Sequence, residues 1–155
     1  MLEDSYIIPK ELAIFKECEI IINFLIEYNN GILEYDKKIE EGFLDSIENY
    51  KNLRQINLMI NVYLKLLYYL SYFNTNQIKQ RINEIIDKLI SENLNEKFNT
   101  NILFIIYLNI SHIYFKINFK KKFFIFLFLS YNDYSDNNNT KKINVNKNFN
   151  YFNLF

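Results

Sequence analysis

The sequence predicts an all-α protein, an antiparallel bundle of about four helices followed by an irregular or disordered C-terminal tail. Within the first hundred residues, apolar side chains recur at steps of three and four, which is the period of an amphipathic helix. Short polar connections separate these stretches, and helices joined in this way pack as antiparallel neighbours. A length of 155 residues allows one ordinary domain with a tail.

The first predicted helix begins near Pro9 and ends at the Asn-Asn-Gly run at 29–31. Proline suits the first turn, Glu11 suits the positive end of the helix dipole, and the Asn-Asn-Gly run is a stop signal. One broad stripe of this helix is predicted to face the core: Leu12, Phe15, Cys18, Ile22, Leu25 and Ile26. Cys18 is therefore interpreted as a small buried hydrophobic residue rather than a reactive thiol.

A second helical pattern begins at Ile32 and continues to Tyr50. Its predicted core face consists of Ile32, Ile39, Phe43, Ile47 and Tyr50. A glycine inside a helix costs about 1 kcal/mol relative to alanine, so we expect a break or kink at Gly42. The charged run KKIEE at 37–41, with Glu40 and Glu41, is interpreted as a solvated surface.

The third predicted helix, 52–73, is the most apolar part of the first hundred residues. Its charged residues are Arg54 and Lys65, and apolar side chains surround most of its circumference. Such a helix is covered by neighbours or by another subunit. Thr75 is the predicted N-cap of a fourth helix. The apolar seam of that helix contains Ile78, Ile82, Ile85, Ile86, Leu89, Ile90 and Leu94.

The chain changes character near residue 100. Residues 1–100 carry 11 Lys+Arg and 16 Asp+Glu, whereas residues 101–155 carry 7 and 2. We therefore predict a helical bundle domain at 1–98 and a low-complexity extension, rich in aromatic residues, Asn and Lys, at 99–155. The extension is interpreted as poorly folded or as translated non-coding sequence, and the Asn-rich stretch from Tyr131 onward predicts disorder.

The stretch from Asn101 to Leu129 raises the question of a membrane. A membrane-spanning helix needs about 20 consecutive apolar residues, but Lys116 and the run 120–122 interrupt this stretch. Lysine clusters lie at membrane interfaces rather than in hydrocarbon. A span is therefore disfavoured, and a small membrane-associated protein anchored by residues 102–129 stays as the alternative function.

The same lysines alternate with Phe115, Phe119 and Phe123. Basic groups hold phosphates and aromatic rings stack on bases, so this pattern is compatible with a nucleic-acid surface. A/T-rich codon usage produces the same residues, and direct nucleic-acid binding is left open.

Motifs for catalysis or metal binding do not occur in the sequence. It contains no Ser/His/Asp or Cys/His arrangement, no Gly-rich phosphate loop and no paired metal ligands. Cys18 is the single cysteine, which excludes an intramolecular disulfide and a Cys-rich zinc site. The acidic start MLEDSY differs from a secretion signal. We therefore expect a non-enzymatic intracellular protein without a metal or cofactor.

Two segments resemble the helical half of subunits of the GINS complex, a component of the replisome, and in particular the Sld-five type. The segment IIPKELAIFKECEIIINFL is similar to that subunit's Ala-Pro-x-Leu-Leu entry into its early helix, through Pro9, Leu12, Phe15, Ile20, Ile21 and Leu25. The segment QINLMINVYLKLLYYLSYF is similar to its signature helix, where Tyr63, Leu64 and Lys65 match a Tyr-Leu-Arg triplet. The resemblance covers residues 8–73.

The resemblance implies a scaffold subunit that packs against sister subunits and helps to hold the replicative helicase in its active assembly. A nuclear location follows from it, with the cytoplasm as the default otherwise. Other helical subunits are then the expected partners, and tyrosines of the third helix serve either as interface anchors or as ordinary core residues. The predicted partner-interface residues are Ile56, Met59, Tyr63, Leu64, Lys65, Tyr68, Tyr69 and Tyr72.

Overall fold

The computed structural model describes residues 9–31, 34–93 and 100–138, and within these ranges the chain consists of helices and their connections, without a strand. The predicted all-α class is confirmed. The described residues form six helices, α1 (Pro9–Asn29), α2 (Lys37–Asn52), α3 (Ile56–Leu70), α4 (Asn76–Asn93), α5 (Thr100–Lys116) and α6 (Lys120–Asn138). The chain divides into unit one, Met1–Asn95, and unit two, Glu96–Phe155, whereas the sequence placed a boundary at residue 98.

In unit one, helices that follow one another in sequence pack together, α1 on α2, α2 on α3 and α3 on α4. The start and end of α1 agree with the sequence prediction, and Gly31, with φ of +68°, adopts the left-handed conformation that follows many helix ends. Helix α2 begins later than predicted because Asp36 caps it. The Asp36 carboxylate accepts a hydrogen bond from the backbone N–H of Lys38 at 2.8 Å. Ile32 lies outside the described residues.

Gly42 does not break α2, contrary to the sequence prediction. The helix is continuous from Lys37 to Asn52. A Cβ atom at Gly42 would lie 2.9 Å from Cγ1 of Ile20, a distance that side chains do not tolerate. Gly42 therefore allows α1 to approach α2 closely. The packing of Ile20 against α2 compensates for the low helix propensity of this glycine.

The same C-terminal motif ends α2 and α5. Arg54 and Asn118 adopt φ of 54° and 62°. The residue after each donates its backbone N–H to a carbonyl five positions earlier, from Gln55 to Tyr50 at 2.9 Å and from Phe119 to Tyr114 at 2.8 Å. This is the Schellman arrangement, which satisfies terminal carbonyls and reverses the chain within a few residues.

Helices α3 and α4 form much of the unit-one core. Four α3 residues have no exposed surface: Val62, Leu66, Leu67 and Leu70. Thr75 caps α4 as predicted, since its Oγ1 accepts a hydrogen bond from the N–H of Ile78 at 3.2 Å. The predicted α4 seam is confirmed at Ile78, Ile82, Ile85, Ile86 and Leu89, which are buried. Ile90 is half-buried, and Leu94 lies outside the described residues.

Unit two is a helical hairpin of α5 and α6. The buried apolar residues of α5 include Ile106, Ile110, Ile113 and Tyr114. The Tyr114 ring stacks on Phe126 at a centroid distance of 5.4 Å. The predicted irregular tail is wrong for residues 100–138, including the stretch from Tyr131 to Asn138, and the rest of that prediction falls outside the described residues. Over the described ranges, no helix is both long enough and apolar enough to span a bilayer.

Candidate interaction surfaces

The α1 stripe, defined as Leu12, Phe15, Cys18, Ile22, Leu25 and Ile26, lies on the surface. Phe15 is 68% exposed and Ile22 is 55% exposed, and Cys18 is an exposed free thiol. Both the predicted core orientation of this stripe and the predicted burial of Cys18 are therefore wrong. A different face of α1, with Ala13, Glu17 and Phe24, is buried.

A buried carboxylate fixes this orientation of α1. Tyr50 donates its hydroxyl to Oε2 of Glu17 at 2.7 Å, and Lys65 donates Nζ to Oε1 at 2.6 Å. The Glu17 side chain is only 10% exposed, and these two partners compensate for the burial of its carboxylate. Burial, together with the hydrogen bond to Glu17, raises the pKa of Tyr50 well above its usual value, which keeps this phenol a donor.

Two further contacts secure the same face of α1. Ile20 packs on Gly42 of α2, and the Phe24 ring meets Tyr69 of α3 edge-on at a centroid distance of 5.3 Å. Glu17, Ile20 and Phe24 are spaced at i, i+3 and i+7, so they line one side of the helix. Because this side is used for packing within unit one, the α1 stripe is left facing outward.

The α1 stripe has the size and composition of a contact surface. Its five large apolar side chains are each more than a third exposed. They extend from residue 12 to residue 26, about 21 Å of helix at 1.5 Å per residue. Exposed Glu19 and half-buried Glu27 lie along one border of the stripe. Contiguous apolar surface with a polar border is typical of interaction sites.

The predicted partner-interface residues of α3 occupy three environments. Met59, Tyr63 and Tyr69 are core residues of unit one, and their side chains are out of reach of a partner at its surface. Tyr72 is exposed. The remaining four are half-buried: Ile56, Leu64, Lys65 and Tyr68.

Tyr69 illustrates the role of the buried tyrosines. Its hydroxyl accepts a hydrogen bond from the backbone N–H of Asp36 at 2.9 Å and donates to the carbonyl of the same residue at 3.1 Å. Burial raises the pKa of Tyr69 to about 12, and burial also raises the pKa of Tyr68 and Tyr72. Tyr69 therefore joins α3 to the N-terminus of α2, a structural role.

A second buried carboxylate lies in the run that the sequence assigned to solvent. Glu40 is 5% exposed, so the surface interpretation is wrong for this residue. Its Oε2 accepts a hydrogen bond from the Tyr35 hydroxyl at 2.5 Å, and its Oε1 accepts one from Nε of Arg81 at 2.7 Å. Burial and the Glu40 carboxylate raise the pKa of Tyr35 to about 12, and the hydrogen bond to Glu40 raises the pKa of Arg81. Glu41 is exposed, as predicted.

These acids do not form a metal site. Within the portions of the chain that the structure describes, no group of three His, Cys, Asp or Glu residues is placed to hold a metal ion. Glu17 and Glu40 each bond to a tyrosine and a cation through both carboxylate oxygens. Both therefore stabilise helix packing.

Unit two carries its own apolar surface. The α6 outer face, defined as Phe124, Ile125, Phe128 and Tyr131, is 48–66% exposed. Phe124, Phe128 and Tyr131 also line an open groove of about 790 Å³ together with Phe104, Leu108 and Leu127. Lys116, at the end of α5, and Lys120 and Lys121, at the start of α6, define the basic turn, and all three are exposed. Lys122 lies over the Tyr114 ring at 5.2 Å and donates to its hydroxyl at 3.4 Å.

The sequence pattern did not predict the α1 stripe as a surface, and it indicated the segment 102–129 only as a membrane anchor or a nucleic-acid surface. The sequence nevertheless contains an indication of each apolar face. Apart from Glu17, the polar residues between Leu12 and Glu27 lie on a single narrow side of α1, at Lys16, Glu19, Asn23 and Glu27. A helix that is apolar over the remaining circumference has enough surface for two partners. In α6 the polar residues lie at its two ends rather than along one side, which leaves its central turns apolar all round.

Over the residues that the structure describes, this molecule is an all-α protein with exposed apolar helix faces. Comparison with known proteins finds no matching family model, no matching curated protein and no matching solved structure. The similarity to GINS subunits therefore stays a prediction.

Proposed function

We propose that the protein is a non-enzymatic helical subunit of an intracellular multiprotein assembly, and that the α1 stripe is its contact surface. The observation that supports this proposal is the outward orientation of the stripe, which Glu17 fixes through Tyr50 and Lys65. The stripe is part of the folded unit, so a partner meets a pre-organised surface and ordering costs little on binding.

The chemistry of the stripe defines the partner. An amphipathic helix of another protein fits it, because such a helix offers apolar side chains over a comparable length. Glu19 and Glu27 on one border favour a partner helix with Lys or Arg beside its apolar face, and complementary charges set the orientation of docking. Tyr28 and Tyr72, whose rings are 5.9 Å apart, extend the surface at the C-terminal end of α1.

In this proposal, residues 1–98 form an antiparallel four-helix bundle in which α1 is the helix that faces the partner. The GINS-like assignment is its most concrete form, with a nuclear location and a role beside the replicative helicase. The two segments that carry the resemblance lie on α1 and α3, and Lys65 of the Tyr-Leu-Lys triplet bonds to Glu17 of α1. The two segments therefore act as one packing unit.

The test compares two double variants of the tagged full-length chain. Phe15→Glu with Ile22→Glu places charges in the stripe, and Lys16→Glu with Asn23→Glu adds the same substituents on the polar side of α1. All four residues lie on the surface, so circular dichroism should show unchanged helix content. We expect the amount of co-purifying partner to fall at least tenfold for the stripe variant and to stay unchanged for the control.

Cys18 makes the contact itself measurable, since it is the single cysteine and lies exposed within the stripe. A photo-crosslinker attached to its thiol should react with a basic amphipathic helix of the partner, located by mass spectrometry. Partner recovery that is equal for both variants, or crosslinks confined to a second copy of this chain, would contradict the proposed heteromeric contact.

A further inference from the structure

The α6 outer face and the basic turn make up one amphipathic surface on unit two. The exposed apolar side chains of the outer face occupy the central turns of α6, and the exposed lysines precede them where α5 ends and α6 begins. Phe115, next to Lys116 at the end of α5, is also 65% exposed. The whole segment 97–132 contains five lysines and no acid, so its charge is uniformly positive.

We infer that unit two docks on an anionic lipid surface, with the α6 outer face in the interfacial layer and the basic turn beside lipid headgroups. This inference goes beyond the proposed function and uses different residues. Interfacial helices combine an apolar face with Lys or Arg and bind membranes that carry anionic lipid. Aromatic residues such as Phe124 and Tyr131 suit the boundary between headgroups and acyl chains.

The composition of the outer face favours lipid over nucleic acid. Ile125 and Leu129, both exposed, lie among the aromatic residues of α6, and aliphatic side chains gain from burial in acyl chains but do not stack on bases. All three phenylalanines that alternate with the lysines already make ring contacts within the hairpin. Phe119 meets Tyr114 edge-on at 6.2 Å, and Phe123 meets Phe115 at 5.4 Å.

The dimensions favour shallow docking. The apolar part of α6 from Phe123 to Leu129 is seven residues, about 10 Å of helix at 1.5 Å per residue. This is far less than the roughly 30 Å thickness of the hydrocarbon core. A hairpin that lies at the membrane surface, with its lysines in the headgroup layer, agrees with both the positive charge of the basic turn and the short apolar part of α6.

Vesicle flotation of the full-length protein tests the inference. Phosphatidylcholine vesicles with and without phosphatidylserine show whether binding requires anionic lipid or only a lipid surface. Extraction with alkaline carbonate distinguishes a protein docked at the surface from one inserted in the bilayer. We expect the protein to float only with the vesicles that contain phosphatidylserine. Added salt should weaken this binding, and carbonate should release the protein from the vesicles. Each lysine near an anionic surface contributes about fivefold in affinity, so Lys120→Gln with Lys121→Gln should weaken binding about 25-fold.

Two further variants locate the contact. Phe124→Ser with Phe128→Ser removes the apolar part of the surface and should abolish flotation, while Phe15→Ser with Ile22→Ser, on the α1 stripe, should leave it unchanged. All four side chains are exposed, so helix content serves as the folding check. Absence of flotation, equal loss in the α1 control, retention after carbonate, or binding of a single-stranded oligonucleotide without binding of vesicles would each overturn the inference.

Discussion

Glu17 determines which face of α1 is buried, although it is an acid and the other residues of that face, such as Ala13 and Phe24, are apolar. Its carboxylate is almost enclosed, and both oxygens accept hydrogen bonds, from Tyr50 and from Lys65. Rotation of α1 that buried the stripe would separate these three groups. Tyr50 has no exposed surface, and an enclosed donor without an acceptor costs about 1–3 kcal/mol. The polar contact therefore selects one packing among several that are similarly apolar.

We predict that Glu17→Ala lowers the free energy of unfolding by about 2–4 kcal/mol, because it leaves Tyr50 and Lys65 without their shared acceptor. Urea unfolding followed by circular dichroism measures the change. Glu19→Ala, two positions along the same helix and exposed, should change the free energy by less than about 0.5 kcal/mol. Equal effects of the two substitutions would show that the buried contact does not stabilise α1.

The partners of Glu17 explain why the sequence did not reveal its role. Tyr50 and Lys65 lie 33 and 48 positions away along the chain. Local periodicity carries no information on contacts at that separation, so the sequence led to no prediction for Glu17. The orientation of α1 that buries Glu17 also exposes Cys18, so the exposure of this thiol could not be predicted from local periodicity either.

At the scale of elements, the spacing of apolar residues predicted where the helices lie better than it predicted which face of each helix is buried. In α4 the charged residues leave one apolar seam, so the buried face could be predicted and is confirmed at Ile78, Ile82 and Leu89. In α1 the apolar residues cover two faces, and the period alone does not choose between them. Helices α5 and α6 were missed because their composition was attributed to codon usage, yet Ile, Leu and Phe also bury well.

The run KKIEE in α2 contains two ion pairs of different burial. Glu40 and Arg81 join α2 to α4, with the carboxylate 6% exposed, whereas Lys37 and Glu41 pair across one helical turn at 78% and 56% exposure. Exposed pairs contribute little because water and salt screen them. Removal of one partner of an enclosed pair leaves an uncompensated charge.

We predict that Arg81→Ala lowers the free energy of unfolding by about 1–3 kcal/mol, a range reduced for the partial exposure of the guanidinium. Lys37→Ala should lower it by less than about 0.5 kcal/mol. Thermal and urea unfolding of both variants measure the difference. If added salt weakens the two pairs equally, the burial contrast has no energetic consequence.

At the scale of the whole molecule, the charge asymmetry of the sequence coincides with the division into two units. The acidic residues that hold helices together, Glu17 and Glu40, lie in unit one, while the lysines of the basic turn lie in unit two. The two proposed contacts follow this division, an amphipathic basic helix for unit one and an anionic surface for unit two. Each can therefore be removed by surface substitutions in one unit.

The tyrosines give the molecule a predictable sensitivity to alkali. Burial is the main reason that the pKa of Tyr69 and of Tyr35 rises to about 12, from the usual value of 10.0. A raised pKa means that the folded state favours the neutral phenol. Below pH 10 both states are protonated and the stabilisation is complete. Between pH 10 and 12 the unfolded chain loses these protons first, so it binds fewer protons than the folded chain and stability falls as pH rises.

We therefore predict that the free energy of unfolding decreases from pH 10 to pH 12, the range between the usual and the raised pKa of these two tyrosines. The contribution of Tyr69 is at most about 3 kcal/mol, and that of the more exposed Tyr35 is smaller because solvent screens it. Tyr69→Phe should lower stability at pH 9.5, since both hydrogen bonds to Asp36 are lost, and should make the decline with pH shallower. Urea unfolding at fixed ionic strength, with phenolate absorbance recorded in parallel, measures both effects. Stability that is constant or rises across this range would show that the buried phenols are not coupled to folding.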